Sequence, residues 1–210
     1  MTELEIHPIK NGFVSKETET LIIGTFPPKS EYTNNEHFFF YSSPRNHFWN
    51  RIESIFPNIE IKLKKTKVKL RDISPEQNKC DKQNFATKEK IGFLDVFTKI
   101  ERKQIDSSKD IDLIPKETII DNEILFEALD DCKSINRICC TYKLAYDTLL
   151  CGLDKNNMKY QLNTDTANRE EYIFSYNSRK VIIVLLYPAT RSRHKGELKD
   201  DQYKNLIFRI

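Results

Sequence analysis

The chain has 210 residues, 39% hydrophobic and 11% aromatic, with 34 Lys and Arg against 31 Asp and Glu for a net charge of +3. That is enough chain to bury a core in one domain, expected to span residues 1–210 as a monomer. The near-balance of charge neither demands nor excludes nucleic acid, so where the charges cluster matters more than their sum. No apolar run approaches the ~18 residues of a membrane span, and the polar, acidic start lacks a secretory signal pattern, so a cytoplasmic chain with no membrane partner is expected.

In chain order, residues 1–12 read as a short leader. Residues 20–24 read as a buried strand stopped by Gly24-Thr25-Phe26-Pro27-Pro28, a sharp turn whose backbone faces a pocket. Residues 46–56 read as a helix, with Phe48, Ile52, Ile55 and Phe56 near helical spacing and Pro57 as the stop. Residues 60–84 alternate like strand at Ile61-Lys62-Leu63-Lys64 and Val68-Lys69-Leu70, and their lysine density suggests an exposed flap or hairpin. Residues 88–97 carry a helix end and then the segment Ile91-Gly92-Phe93-Leu94-Asp95-Val96-Phe97. Residues 101–116 read as polar loop, 121–131 as a helix with Ile124, Leu125 and Leu129 on one face, and 135–141 as a strand. A helix over 142–150 is closed by Gly152, 171–175 reads as an edge strand, and 181–186 is a continuous apolar strand stopped by Tyr187-Pro188. A last helix covers 200–210.

Continuously apolar strands alternating with helices define an α/β fold: a three-layer sandwich with a central, mainly parallel sheet covered on both faces. Such sheets bind ligands beyond the carboxyl ends of their strands. Two strands end there in Pro-containing loops, at Gly24–Pro28 and at Tyr187–Arg193. The five cysteines (Cys80, Cys132, Cys139, Cys140 and Cys151) are odd in number and show no CxxC spacing, which argues against a disulfide framework and against zinc or iron–sulfur. Cys139 and Cys140 fit buried, reduced thiols in a strand.

One further segment concentrates chemistry. Phe38-Phe39-Phe40-Tyr41-Ser42-Ser43-Pro44-Arg45-Asn46-His47-Phe48-Trp49 places aromatics, an amide and a cation in one loop before a helix. Aromatic faces stack flat heterocycles, amides read base edges and cations hold phosphates.

Three points, in the right order, resemble the uracil-DNA glycosylase superfamily, and most closely its mismatch-specific and hypoxanthine-excising branches. Gly24-Thr25-Phe26-Pro27-Pro28 is similar to the first active-site motif, a Gly-x-x-Pro turn after the first strand. Tyr41 to Trp49 is similar to the aromatic-x-x-Pro-x-Asn-x-Phe-Trp signature, the most specific match. Tyr187-Pro188-Ala189-Thr190-Arg191-Ser192-Arg193, after the last strand, is similar to the second motif, a loop that enters the DNA minor groove. Ile91-Gly92-Phe93-Leu94-Asp95 adds a weaker match to a segment lining the base pocket. Phe26 departs from the pattern, because many members place there an Asp or Asn that positions the attacking water. Tyr187-Pro188 also replaces the His-Pro-Ser of the uracil-specific enzymes. The hypoxanthine branch lacks a first-motif carboxylate as well, and the Asn it uses corresponds to Asn46.

The resemblance implies a uracil-DNA glycosylase-like domain acting on DNA that carries a damaged or mismatched base, with no metal or cofactor. It implies catalytic roles for Asn46 and Asp95. It implies substrate contacts from Gly24, Thr25, Phe26, Pro27 and the stacking ring of Tyr41, and DNA contacts from Pro188, Thr190, Arg191, Ser192 and Arg193. Plainer roles compete at several positions. Asn46 also suits the cap of the helix that follows it, Asp95 a loop cap, and Tyr41 an aromatic core cluster with Phe38 to Phe40. Phe48 and Trp49 suit the core. Lys62, Lys64, Lys65, Lys67, Lys69 and Arg71 form either a second phosphate strip or a solvated face. The implied activity is hydrolysis of an N-glycosidic bond, with the Gly24–Pro28 backbone and Asn46 as candidates for holding the leaving base. The rivals are a catalytically weak nucleic-acid-binding module, motivated by Phe26, and an enzyme of free nucleosides, which the arginine-bearing last loop disfavours.

Overall fold

A computed structural model describes residues 3–33, 35–42, 46–56, 74–104, 107–163, 171–189 and 196–209. Its centre is a six-stranded sheet built from β2 (Thr20–Gly24), β3 (Ile91–Asp95), β6 (Arg137–Cys140), β7 (Tyr160–Leu162), β8 (Glu171–Tyr176) and β9 (Arg179–Leu185). The order is β3-β2-β6-β9-β8-β7. The first four run parallel, and β8 and β7 are added antiparallel. The α/β expectation is met, and the two faces are covered separately. On one face, Leu21, Ile23, Ile138 and Ile183 pack with α4 (Ile124–Asp131) and α5 (Lys143–Lys155). On the other, Ile22, Cys139 and Val184 pack with α2 (Phe48–Ile55), α3 (Pro75–Lys88) and α6 (Gly196–Tyr203). Successive side chains of a strand point to opposite faces, so one continuously apolar strand feeds both cores. Among the described residues no helix is long and apolar enough to cross a membrane.

A second, three-stranded antiparallel sheet corrects two expectations. The supposed leader supplies β1 (Glu5–Ile6), and the supposed polar loop supplies the end of β4 (Phe97–Arg102) and most of β5 (Leu113–Thr118), in the order β1-β4-β5. A buried Arg102 explains why this sheet looks polar in the sequence. Its guanidinium donates to Glu5 from Nε at 3.0 Å, to the Ser107 carbonyl at 2.8 Å and to the Pro27 carbonyl at 2.7 Å. Tyr32, in the short α1 (Lys29–Tyr32), donates its hydroxyl to the same Glu5, and burial first, then Glu5, pushes that phenol's pKa up.

Four other expectations shift. Residues 75–88, which start inside the supposed flap and run past its end, form α3; Ser74 caps it by accepting from Gln77 N–H at 3.1 Å, and Pro75 sits in its first turn. The lysine-rich stretch 62–71 itself lies outside the described residues. Gly152 does not close α5, which continues to Lys155; its missing Cβ leaves room for Ile120. β8 is not an edge, because β7 pairs along its outer side. The last helix begins earlier than expected, at Gly196, and ends in a π-type turn over Lys204–Phe208. The cysteines are free, and Cys139 and Cys140 are fully buried in β6, where burial pushes the Cys139 thiol up to about 12.

Candidate active site

The parallel strands β2, β6 and β9 carry their ends to one rim, where Ile23, Cys140 and Leu185 stand in register. The two Pro-containing loops therefore leave the same edge, with the end of β6 between them. At this rim lies a cavity of about 320 Å³ lined by Thr25, Phe26, Pro27, Tyr41, Asn46 and Asp95, and also by Ser42, Asp110 and Tyr142. Six of the residues singled out in the sequence thus share one cavity. Gly24 stands just behind it, and Pro188 is exposed after β9. Thr190, Arg191, Ser192 and Arg193 lie outside the described residues.

Gly24 is required by close approach. A Cβ there would fall on Asp95 Oδ1 and come within 2.8 Å of the Tyr41 hydroxyl. Gly24 also pairs with Asp95 across β2 and β3, and its carbonyl accepts from Val96 N–H at 2.9 Å. The glycine lets an acid and a phenol crowd against the end of the strand.

Asp95 is held from behind. His7 Nε2 donates to Asp95 Oδ2 at 3.0 Å, while Nδ1 accepts from Ile9 N–H at 3.1 Å. The histidine is 4% exposed and its ring packs on Phe26 and Phe40. Nothing in the sequence marked it, because it comes from the stretch read as leader.

Asp110 is the second carboxylate of the cavity and was also missed, lying in the stretch read as loop. It occupies a 3₁₀ turn (Asp110–Asp112), and Thr25 Oγ1 donates to its Oδ1 at 2.9 Å. Burial raises its pKa above the ordinary carboxylate value, the neighbouring Asp95 adds to that, and the Thr25 hydrogen bond and Arg102 oppose it.

Asn46 divides its amide. Its Oδ1 accepts from the N–H of Phe48, the first residue of α2, at 2.8 Å, and its Nδ2 makes a long contact of 3.5 Å to the Tyr142 hydroxyl. The N-cap position itself is His47, whose side chain makes no capping bond, so Asn46 holds the start of the helix from one residue ahead of the cap, and its donor end faces the cavity wall formed by Tyr142. Burial, then Asp110 and Asp95, push the Tyr142 phenol upward.

Tyr41 takes a positive φ of 57°, a conformation that costs a non-glycine residue energy and is held by its surroundings. Its hydroxyl lies 3.1 Å from Thr141 Oγ1, and its ring stacks on Phe48 at 4.6 Å and 24°. One face is thereby built into the core. Burial and Asp95 keep the hydroxyl protonated far above the usual phenol range. Phe26 is 6% exposed and packs edge-on to His7 and Tyr32, under the Arg102 guanidinium at 5.7 Å. It is an apolar wall, with no polar atom to hold water. Phe48 and Trp49 are core, as expected, and Trp49 Nε1 donates to the Phe40 carbonyl at 2.8 Å.

Fold and site together describe an α/β protein with a polar cavity at the carboxyl rim of a mainly parallel sheet, two acids and an amide facing it. The same fold occurs in a solution NMR structure from Methanosarcina acetivorans described as a "putative Uracil DNA glycosylase". That structure is 18% identical, with a TM-score of 0.54 over 94% of this chain and 98% of the other. No protein-family model and no curated protein matches the chain.

Proposed function

We propose that this protein is a monofunctional DNA glycosylase of the uracil-DNA glycosylase superfamily, which extrudes a deaminated or mismatched base such as uracil or hypoxanthine and hydrolyses its N-glycosidic bond. The observation that carries the reading is the single cavity that gathers Tyr41, Asn46, Asp95 and Asp110 behind the Gly24 turn. The shared fold and the description of the Methanosarcina acetivorans protein support it.

In this reaction the C1′–N bond breaks with its electron pair moving to the base, and positive charge develops on the sugar. Negative side chains stabilise such a cation, and a carboxylate can accept a proton from the attacking water. Asp95, which accepts from His7, and Asp110, which accepts from Thr25, are the two candidates for this. Asn46 Nδ2 supplies a donor for water or for the base edge. Tyr41 offers the cavity side of its ring to a flipped base. Phe26 makes the first motif a wall, so water handling falls to the residues across the cavity. DNA contact falls to Pro188 and to residues 190–193, and neutralising Arg191 and Arg193 together is expected to flatten the salt dependence of binding by about one to two units.

The test is a set of labelled oligonucleotides carrying uracil, hypoxanthine, xanthine or a G·T mismatch, scored for abasic-site formation under single-turnover conditions. Abasic product from at least one is expected. Salt-sensitive binding to all with no product from any would replace the enzyme with the nucleic-acid-binding module that the apolar Phe26 favours.

A further inference from the structure

Lys82 is a buried amine that the reaction described above does not use. Helix α3 is almost entirely polar and buries only Lys82, Phe85 and Ala86. Their i, i+3, i+4 spacing is the stripe a helix turns to the core, so a lysine occupies an apolar position. It is 3% exposed. Among the described residues its ammonium donates a single hydrogen bond, to Ser42 Oγ at 2.9 Å, and lies 5.7 Å from the Trp49 ring centroid. No carboxylate lies within ion-pairing distance of it among the described residues. Glu31 of α1 is the acid that acts on it, from further away, and neither Trp49 of α2 nor Ser42 titrates. Burying a cation without a paired anion is expensive, and a well-packed apolar side chain would serve stability better.

Ser42 connects this amine to the site. It follows Tyr41 and lines the cavity. An ammonium has donors only, so Ser42 Oγ must accept from Lys82, and the hydroxyl's own hydrogen is left to donate. Among the described residues that hydrogen has no acceptor. The cavity therefore has carboxylates from the end of β3 and from the 3₁₀ turn, and a hydroxyl donor backed by a buried positive charge from α3.

We propose that Lys82, acting through the Ser42 hydroxyl, is a positioning residue that makes one wall of the cavity an anion holder, and that the anion it holds is the departing nucleobase. The assignment of the anion rests on the glycosylase reading. When the C1′–N bond breaks, the electron pair leaves with the base and spreads onto its ring carbonyl oxygens. Ser42 O–H donates to such an oxygen, and Lys82 supplies the compensating charge through the hydroxyl. Water adds to C1′, and its proton passes to a cavity carboxylate. The wall favours bases that carry a ring carbonyl and leave as stable anions, which is the chemical class that deamination produces. Burial draws the Lys82 amine down to about 8, with Glu31 opposing, so the wall is charged at neutral pH and fades just above it.

The decisive measurement compares binding of two free bases: 5-nitrouracil, an anion at neutral pH, and neutral uracil. Wild-type protein is expected to bind 5-nitrouracil roughly 10-fold or more tightly than uracil at pH 7, on the scale of a charge-assisted hydrogen bond, and to lose that preference by pH 9. Lys82→Met and Ser42→Ala should each abolish the preference, while Lys82→Arg should retain part of it. Ser42→Ala leaves Lys82 in place, so it decides the matter even if the Met variant misfolds. Equal binding of the two bases by wild type, no detectable binding of either at millimolar concentration, or a preference that survives in Ser42→Ala overturns the proposal. The oligonucleotide set is scored separately. Absence of excision by wild type overturns the glycosylase reading and the departing base as occupant, whereas the free-base preference still decides whether the wall holds an anion.

Discussion

His7 and Asp95, 88 positions apart in the chain, meet through a hydrogen bond of 3.0 Å whose direction is fixed by a third group. Because Nδ1 accepts from Ile9 N–H, the proton of the neutral ring sits on Nε2 and points at the carboxylate. The pair ties the three-stranded sheet to the end of β3 and aims Asp95 into the cavity.

His7→Ala is therefore expected to cost about 1–3 kcal/mol, the scale of a buried polar group losing its partner, and to lower single-turnover excision about 10-fold by freeing Asp95. Melting curves and excision rates on the one variant check both. A full wild-type rate would show that Asp95 needs no such orientation.

Gly24→Ala tests the crowding at the end of β2. The new methyl would collide with Asp95 Oδ1 and press on the Tyr41 hydroxyl, and overpacking of this kind costs about 1–3 kcal/mol. Excision should fall more than stability does, because the atoms displaced first are those of the site. The check is denaturant unfolding alongside single-turnover rates, and normal values in both would mean that the strand end has slack.

How much of this was readable beforehand differs by residue for physical reasons. The strand before Gly24 announced itself as an apolar run cut by Gly and Pro, and Tyr41, Asn46 and Asp95 stood in motifs of fixed spacing. The cavity joins all of them. Asp110 gave no signal because β4 and β5 hold charged residues on short antiparallel strands, and their pairing is non-local. His7 acts only through the fold. Helix α3 escaped notice because its buried stripe contains Lys82, so no apolar period exists to be seen. Sequence patterns record where apolar surface goes. They miss buried charges, whose partners are chosen by tertiary structure.

Asp110→Asn separates function from stability by sign. The carboxyl's pKa is raised in the folded protein, chiefly by burial, so between its ordinary value and the raised one the folded state holds a proton that the unfolded state has lost. Stability therefore falls as pH rises through that window, and at neutral pH the ionised Asp110 is a net cost. The amide removes that cost, and the variant should melt no lower than wild type at pH 7, with the gap closing toward pH 4. Excision should nevertheless fall roughly 10²-fold, the scale of a lost general base. A variant that is less stable at pH 7 yet fully active would assign Asp110 to structure alone.

Asn46 carries two roles on one amide, and a pair of substitutions can divide them. Oδ1 holds the first N–H of α2, that of Phe48, and Nδ2 points toward Tyr142 across the cavity. Asn46→Ala removes both, so about 1 kcal/mol of stability should go with the hydrogen bond to Phe48 N–H and excision should drop about 10²-fold or more, as when a transition-state hydrogen bond is lost. Asn46→Asp keeps an oxygen for Phe48 N–H but has no donor, and it adds a third negative charge beside Asp95 and Asp110. Its melting temperature should stay near wild type while its excision falls at least as far as that of the alanine variant. DNA affinity should change little in Asn46→Ala, because the contact strengthens only as charge develops in the reaction. If Asn46→Asp instead excises at the wild-type rate, the amide donor is dispensable, Asn46 only holds the start of α2 while facing the cavity, and the chemistry must rest on the two carboxylates.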